Sequence, residues 1–308
     1  MKGIFQLLKR TVMDWTGDKA PVLAAALTYY MLFSLAPLLM IAIGITGMAF
    51  GEAAAEEQIS DQLKEIVGED VAPAIQVFIR SASSPSGSGI AIVIGVGTML
   101  FGSSMVFGQI KDALDTIWKV TPEKTGILGF LIKRFLGFSI VLGVGILLLC
   151  TLIINAVLAG VRSYVDEIEG LPDIGIIWQV ADFVVSLGFI TMLFAMVFKI
   201  LPDVKIHWRD VWLGAGVTAL LFNIGKSLIG LYLGYTSVGS TYGAAGSIVV
   251  LMVWLYYSSQ IFLFGAEFTQ VYTHMYGSLK DRPVEVNGAE ASSEATEDEP
   301  EHEEDAAE

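Results

Sequence analysis

Apolar residues run along this chain in long unbroken blocks separated by short polar connections. No charged residue occurs between Lys19 and Glu52, between Arg80 and Lys111, or between Arg134 and Arg162. The stretch from Asp173 to Lys199 carries one, Asp182, and that from Asp210 to Glu267 carries one, Lys226. About 20 apolar residues cross the hydrocarbon core of a bilayer, so the last stretch is too long for one crossing. It divides at Gly234-Tyr-Thr-Ser-Val-Gly-Ser-Thr-Tyr-Gly243, where the side chains are small or polar. The pattern predicts six transmembrane helices, roughly 22–50, 88–108, 135–160, 175–200, 211–234 and 244–272. Buried helices of a soluble protein would not give six runs of this length, so the expected fold class is all-α, a polytopic integral membrane protein. The first run and the segment ahead of it are both too long for a secretory signal peptide.

The pieces between the spans have helical periodicity of their own. Phe5, Leu8, Val12 and Trp15 share one face with Lys9 and Arg10 off it, which predicts an interfacial helix over 1–21. Ile110, Leu114, Ile117 and Trp118 repeat the pattern after the second span. In the connection 51–87, Ile59, Leu63, Ile66 and Val67 form one stripe and Val71, Ile75, Phe78 and Ile79 another. Two short helices resting on the outer surface are expected there, then a Ser/Gly linker over 81–89. The spans and connections make up a domain over 22–275. Residues 276–308 are polar, acidic and without periodicity, and read as a disordered tail.

Composition agrees: 54% of residues are hydrophobic and 16% charged, against about a quarter charged in a soluble domain. The net charge of −14 belongs mostly to the tail, since residues 280–308 hold 12 acids and 2 bases. Of the 18 Lys and Arg residues, 14 fall in the N-terminal segment, the second and fourth connections and the C-terminus. By the positive-inside rule those segments, and both termini, are cytoplasmic. No basic patch for nucleic acid is present. The single cysteine, Cys150, excludes a disulfide framework and a cysteine-ligated metal site.

Candidate chemistry lies in the spans. His207, His274 and His302 show no metal-ligand spacing, and no Gly-rich loop joins a strand to a helix, so no catalytic residue, metal or cofactor is expected. Gly95 and Gly97, Gly47 and Gly51, and Gly230 and Gly234 read as close helix packing. Asp182 and Lys226 each lie about 10–14 Å below the outer surface at the rise of an α-helix. Neighbouring antiparallel spans could bring them together with Asn223, as a polar cluster or as an ion pair that only fixes packing. Glu267 lies near the inner end of the last span with Gln260 and Tyr256 continuing its face, either paired with a cytoplasmic-side partner such as Lys133 or Arg134 or standing as an interfacial carboxylate in water. Ser34 and Pro37 sit within the first span. Pro37 removes a backbone donor, which fits a broken helix lining a site or an ordinary kink.

Residues 24–39, Ala-Ala-Ala-Leu-Thr-Tyr-Tyr-Met-Leu-Phe-Ser-Leu-Ala-Pro-Leu-Leu, resemble the first-helix signature of the YihY/BrkB family of bacterial inner-membrane proteins. Tyr242 to Glu267 resembles the second signature, and Trp208 to Ala215 the segment leading into the fifth span. Ser34, Pro37, Tyr242, Gly243, Trp254 and Glu267 fall within these motifs; Asp182 does not. The resemblance implies six helices in the bacterial inner membrane and no assigned cofactor. An older ribonuclease label for such proteins is opposed by the lack of an acidic or histidine cluster that could hold a catalytic metal. The function expected is transport of a small ion, amphiphile or lipid through a polar path formed by Asp182, Asn223, Lys226, Gln260, Glu267, Ser34 and Pro37. The alternative is a non-transporting envelope-integrity or scaffold factor. The expected partners are the bilayer, an ion or lipid substrate and further copies of the chain, with no nucleic acid.

Overall fold

The computed structural model describes residues 2–68, 71–76, 105–120, 175–204, 206–236, 242 and 245–280, with scattered helical positions between 143 and 165. Among them the regular structure is helical throughout. The principal helices are α1 (Lys2–Gly17), α2 (Ala20–Phe50), α3 (Glu52–Val67), α4 (Gly175–Ile200), α5 (Trp208–Tyr235) and α6 (Gly246–Met275). A further helical stretch occupies 105–117.

Three of these, α4, α5 and α6, are long and apolar enough to cross a membrane, with mean hydropathies of 2.2, 1.4 and 1.8. They coincide with the last three predicted spans, and α2 covers the first. The second predicted span lies almost wholly outside the described residues, and the third in large part. So do Phe78 and Ile79, the 81–89 linker, Gly95 and Gly97, Lys133 and Arg134, most of the 234–243 break, and residues 281–308.

Local chemistry sets the helix ends. Lys19 turns the chain between α1 and α2 in the left-handed region at φ 54°, and a proline follows in the first turn of α2, where its missing N–H costs nothing. Gly51 (φ 86°) and Gly68 (φ 90°) bracket α3, each donating its N–H back into the preceding helix, to Gly47 and Lys64. Side chains strongly disfavour these angles. The helix assignment of α2 runs through Pro37 unbroken, so Pro37 is no helix break; the ordinary alternative is the one consistent with a continuous helix.

α6 is the hub, packing against α5, α2 and α1, while α4 packs on α5 and α3 on α2. Where α4, α5 and α6 meet, Phe194, Phe198, Phe222, Trp254 and Phe262 form an aromatic cluster with ring centroids 5.3–6.2 Å apart. Such pairs add about 0.5–1.5 kcal/mol each beyond burial. α5 and α6 approach through a reciprocal contact. A Cβ on Gly214 would lie 1.9 Å from Thr269 Oγ1, and one on Gly265 would lie 2.0 Å from Thr218 Oγ1. Both hydroxyls are satisfied within their own helices, Thr218 donating to Gly214 O and Thr269 to Gly265 O, each at 2.7 Å.

One expectation needs correction. Val71, Ala72, Ala74 and Ile75 are buried, so the second outer helical turn is embedded in the core instead of resting on it. α1 is anchored to one side of its predicted stripe, where Leu7 and Thr11 are buried and Leu7 packs beside Phe268 and Val271. Ile4, Phe5, Leu8, Val12 and Met13 remain exposed.

Four segments distant in sequence meet at one end of the helices. Lys119 pairs with Asp18, and Lys111 pairs with Asp203 beyond α4 at 2.7 Å. The amide of Asp203 donates to Asp115 at 3.2 Å. At the start of α5, Asp210 accepts from the amide of Ser278 at 2.8 Å, closing the turn after α6. This turn buries Leu279, three residues past the start of the expected tail.

Candidate functional site

The inner half of α6 is enclosed nearly all round: from Phe262 to Thr273, only Phe264 and Tyr272 are not buried. A helix surrounded in this way is normally apolar on every face. Glu267 breaks the rule, for it is 0% exposed and neither carboxylate oxygen has a hydrogen-bond partner. An ionised carboxylate in such surroundings is costly unless something compensates it.

Its charged neighbours are Asp18, Lys119 and Asp14. Asp18 belongs to the α1–α2 turn, held there by its amide bond to Asp14 O at 2.8 Å. Lys119 closes the 105–117 stretch in a left-handed conformation at φ 55°. Its ammonium donates to Asp18 Oδ1. Asp18 Oδ2 is buried and without a partner. Two indole N–H groups from the same segments, Trp15 Nε1 and Trp118 Nε1, are orphaned as well. Among the described residues, five of the seven buried, unpartnered side-chain polar atoms therefore belong to Trp15, Asp18, Trp118 and Glu267. The other two are Trp178 Nε1 on α4 and Gln260 Oε1 on α6, whereas buried polar groups are normally satisfied. This concentration marks the junction of α1, α6 and the 105–120 segment as the candidate site.

The other predicted residues are not gathered there. Asp182 is exposed on α4. The buried residues of α4 run from Phe189 to Phe198, which leaves Asp182, more than a turn earlier, outside the packed half. Lys226 instead lies beside the end of α3, where a Cβ on Gly68 would be 4.0 Å from its Cγ. Asn223 donates to Ala219 O at 3.1 Å and Ser34 to Met31 O at 3.1 Å, both within their own helices. Gln260 does join Glu267 in one respect. Its Oε1 is buried and unpartnered, two turns before Glu267 on the same side of α6, or about 10 Å along the axis.

Asp18 and Lys119 are the residues that sequence reasoning missed. Their signal was position: one acid at the break between an amphipathic helix and a span, one base just past an amphipathic stretch. Among the described residues, no group of three or more His, Cys, Asp or Glu side chains is arranged to hold a metal.

A sequence profile of the family described as Virulence factor BrkB matches residues 11–289, which include the whole of this site. The chain is also similar to several proteins named UPF0761 membrane protein. It is 27% identical to one from Tolumonas auensis over 268 residues, 82% of this chain and 80% of that one. It is 29% identical to one from Rhodospirillum centenum, covering 85% of this chain and 56% of the relative. For one from Teredinibacter turnerae the figures are 26%, 84% and 58%. The chain thus spans little more than half the length of the last two. No solved structure matches it.

Proposed function

The chain belongs to the virulence factor BrkB family, and from that premise we propose that this membrane protein is a non-enzymatic transporter. It moves a small ion or an amphiphile through a polar path between its helices, in the bacterial inner membrane, with both termini in the cytoplasm. One observation carries the reading: a fully buried, unpartnered carboxylate, Glu267, in a membrane-spanning helix. Ionisable groups within a span are expensive, and functional pathways are where they are retained. Gln260 extends the polar side of α6 toward the opposite end.

The meeting of four segments at one end of the helices supports six passes. The α1–α2 turn, residues 105–120, the 201–206 loop and the turn after α6 share that end. Gly68 lies by Lys226, 18 residues beyond the start of α5, or about 27 Å up that helix. With α2, α4, α5 and α6 as four of the passes, the six-pass reading takes its other two from the sequence pattern. The shared end carries most of the basic residues, which supports placing it in the cytoplasm.

The test is flux in reconstituted vesicles. Ion or lipid movement above that of empty liposomes should be lost in Glu267→Gln. Flux equal to empty liposomes across ions and lipids would overturn transport in favour of a scaffold. For orientation, a cysteine at Ser84 should label from outside the cell and one at Lys124 should not.

A further inference from the structure

The unpartnered oxygens at the α1–α6 junction have a specific arrangement. Glu267 and Asp18 are neighbours at this junction, and Glu267 Oε1 and Oε2 and Asp18 Oδ2 are all buried without partners. A carboxylate can only accept, so two ionised groups in contact leave each other unsatisfied; a protonated one donates. One proton between them turns a repulsive contact into a charge-assisted hydrogen bond, the strong kind.

Charge counting points the same way. Arg10 lies 3.7 Å from Asp14, and Lys119 binds Asp18. Glu267 is the third carboxyl of the group and has no cation of its own among the described residues. α2 brings no charged side chain, having none in its sequence. At this end of α5, Asp210 is engaged with the turn after α6. On α6 itself, His274 is occupied with Gln270 O at 3.0 Å.

We propose that Glu267 and Asp18 form a proton-binding site, with one proton held between their carboxyl groups and Lys119 fixing Asp18 from its other oxygen. Asp18, facing the ammonium, is the charged member; Glu267 carries the O–H. This deepens the transport reading and rests on it for its purpose: the coupling ion is H⁺, and its site lies at the end of the helices where the basic residues collect. Only the O–H bond is made or broken, and the proton is exchanged with water. When it leaves, Glu267 becomes a like charge against Asp18, and the force falls on the Asp18–Lys119 contact that holds the α1–α2 turn to the 105–120 segment. Release of the proton thus loosens the junction at that end.

The test is infrared spectroscopy of the full chain in vesicles at neutral pH. A carboxylic-acid C=O band is expected that moves when glutamate carboxyls carry ¹³C and stays when aspartates do, with no substitution made. Glu267→Gln should abolish the band, Asp18→Asn should shift or abolish it, and Asp14→Asn should leave it in place. Absence of a glutamic-acid band, or a band indifferent to Asp18→Asn, overturns the shared proton, and water bridging two ionised carboxylates would give that result. The flux assay fails separately: the band without flux leaves the proton site standing and removes transport. Glu267-dependent flux without the band does the reverse.

Discussion

Lys111 is a buried ammonium whose three contacts join parts of the chain that are ninety residues apart. It binds Asp115 at 2.9 Å and Asp203 at 2.7 Å and donates to Leu201 O at 3.2 Å. Desolvation pulls its pKa down, but the hydrogen bonds and charges of Asp203 and Asp115 outweigh it and hold the value above the ordinary 10.5. A raised lysine pKa contributes stability that is complete below the ordinary value and is lost as pH climbs through the folded one. Lys111→Met should therefore destabilise by about 1.5–3 kcal/mol at neutral pH, the range for a hydrogen bond to a charged group. Thermal melts in detergent should show the gap to the unmutated chain persisting to the ordinary lysine value and closing only in stronger alkali. Lys19 offers the opposite change. Its left-handed conformation at φ 54° suits glycine, and Lys19→Gly should raise stability by about 0.5 kcal/mol, the backbone relief partly offset by the freer unfolded chain. The sequence shows Lys111 and Lys119 only as basic residues on one side of the membrane. Their partners Asp203 and Asp18 are brought to them by helix packing, and no local spacing encodes that.

At the scale of helices, hydropathy was a good guide and packing a poor one. The last three predicted spans, 175–200, 211–234 and 244–272, match Gly175–Ile200, Trp208–Tyr235 and Gly246–Met275 to within three residues. Where the helices run longer than predicted, as at Trp208 and Met275, they continue past the apolar core for as long as their backbone bonds hold, whereas hydropathy stops at the first polar group. Small-residue spacing pointed to Gly230 and Gly234, while the closest approach uses Gly214–Thr218 and Gly265–Thr269. Threonine serves because its hydroxyl is bonded to its own helix, leaving a compact surface for the glycine opposite. Gly214→Ala or Gly265→Ala must push the helices apart, and each should cost about 1–3 kcal/mol. Thr269→Ala combined with Gly214→Ala should return part of that loss, and a double-mutant cycle on thermal stability measures the coupling.

For the molecule as a whole, the sequence revealed the membrane class, but not the contacts that bring the two terminal regions to one end. The Asp210–Ser278 bond and buried Leu279 set a limit on truncation. Ending the chain after Lys280 should leave thermal stability unchanged. Ending it after Met275 removes both contacts and should cost about 2 kcal/mol, the value of burying one leucine; melting temperatures of the two truncations decide it. The candidate site was half legible. Glu267 is conspicuous as an acid at the end of an apolar run, whereas Asp18, 249 positions earlier, becomes its neighbour only once α1 docks on α6. Asp182, equally conspicuous, stays on an exposed face because the packed half of its helix begins further on.

The paired glycines and threonines of α5 and α6 also constrain motion. Each glycine receives the other helix's threonine, so the two rows mesh in a single register like wards in a lock. Sliding by one turn would replace each snug fit with a collision on one side and a gap on the other. The carboxyl-terminal pair must then behave as a fixed frame, and any cycle of opening and closing has to be carried by parts that swing against it, the amino-terminal helices first among them.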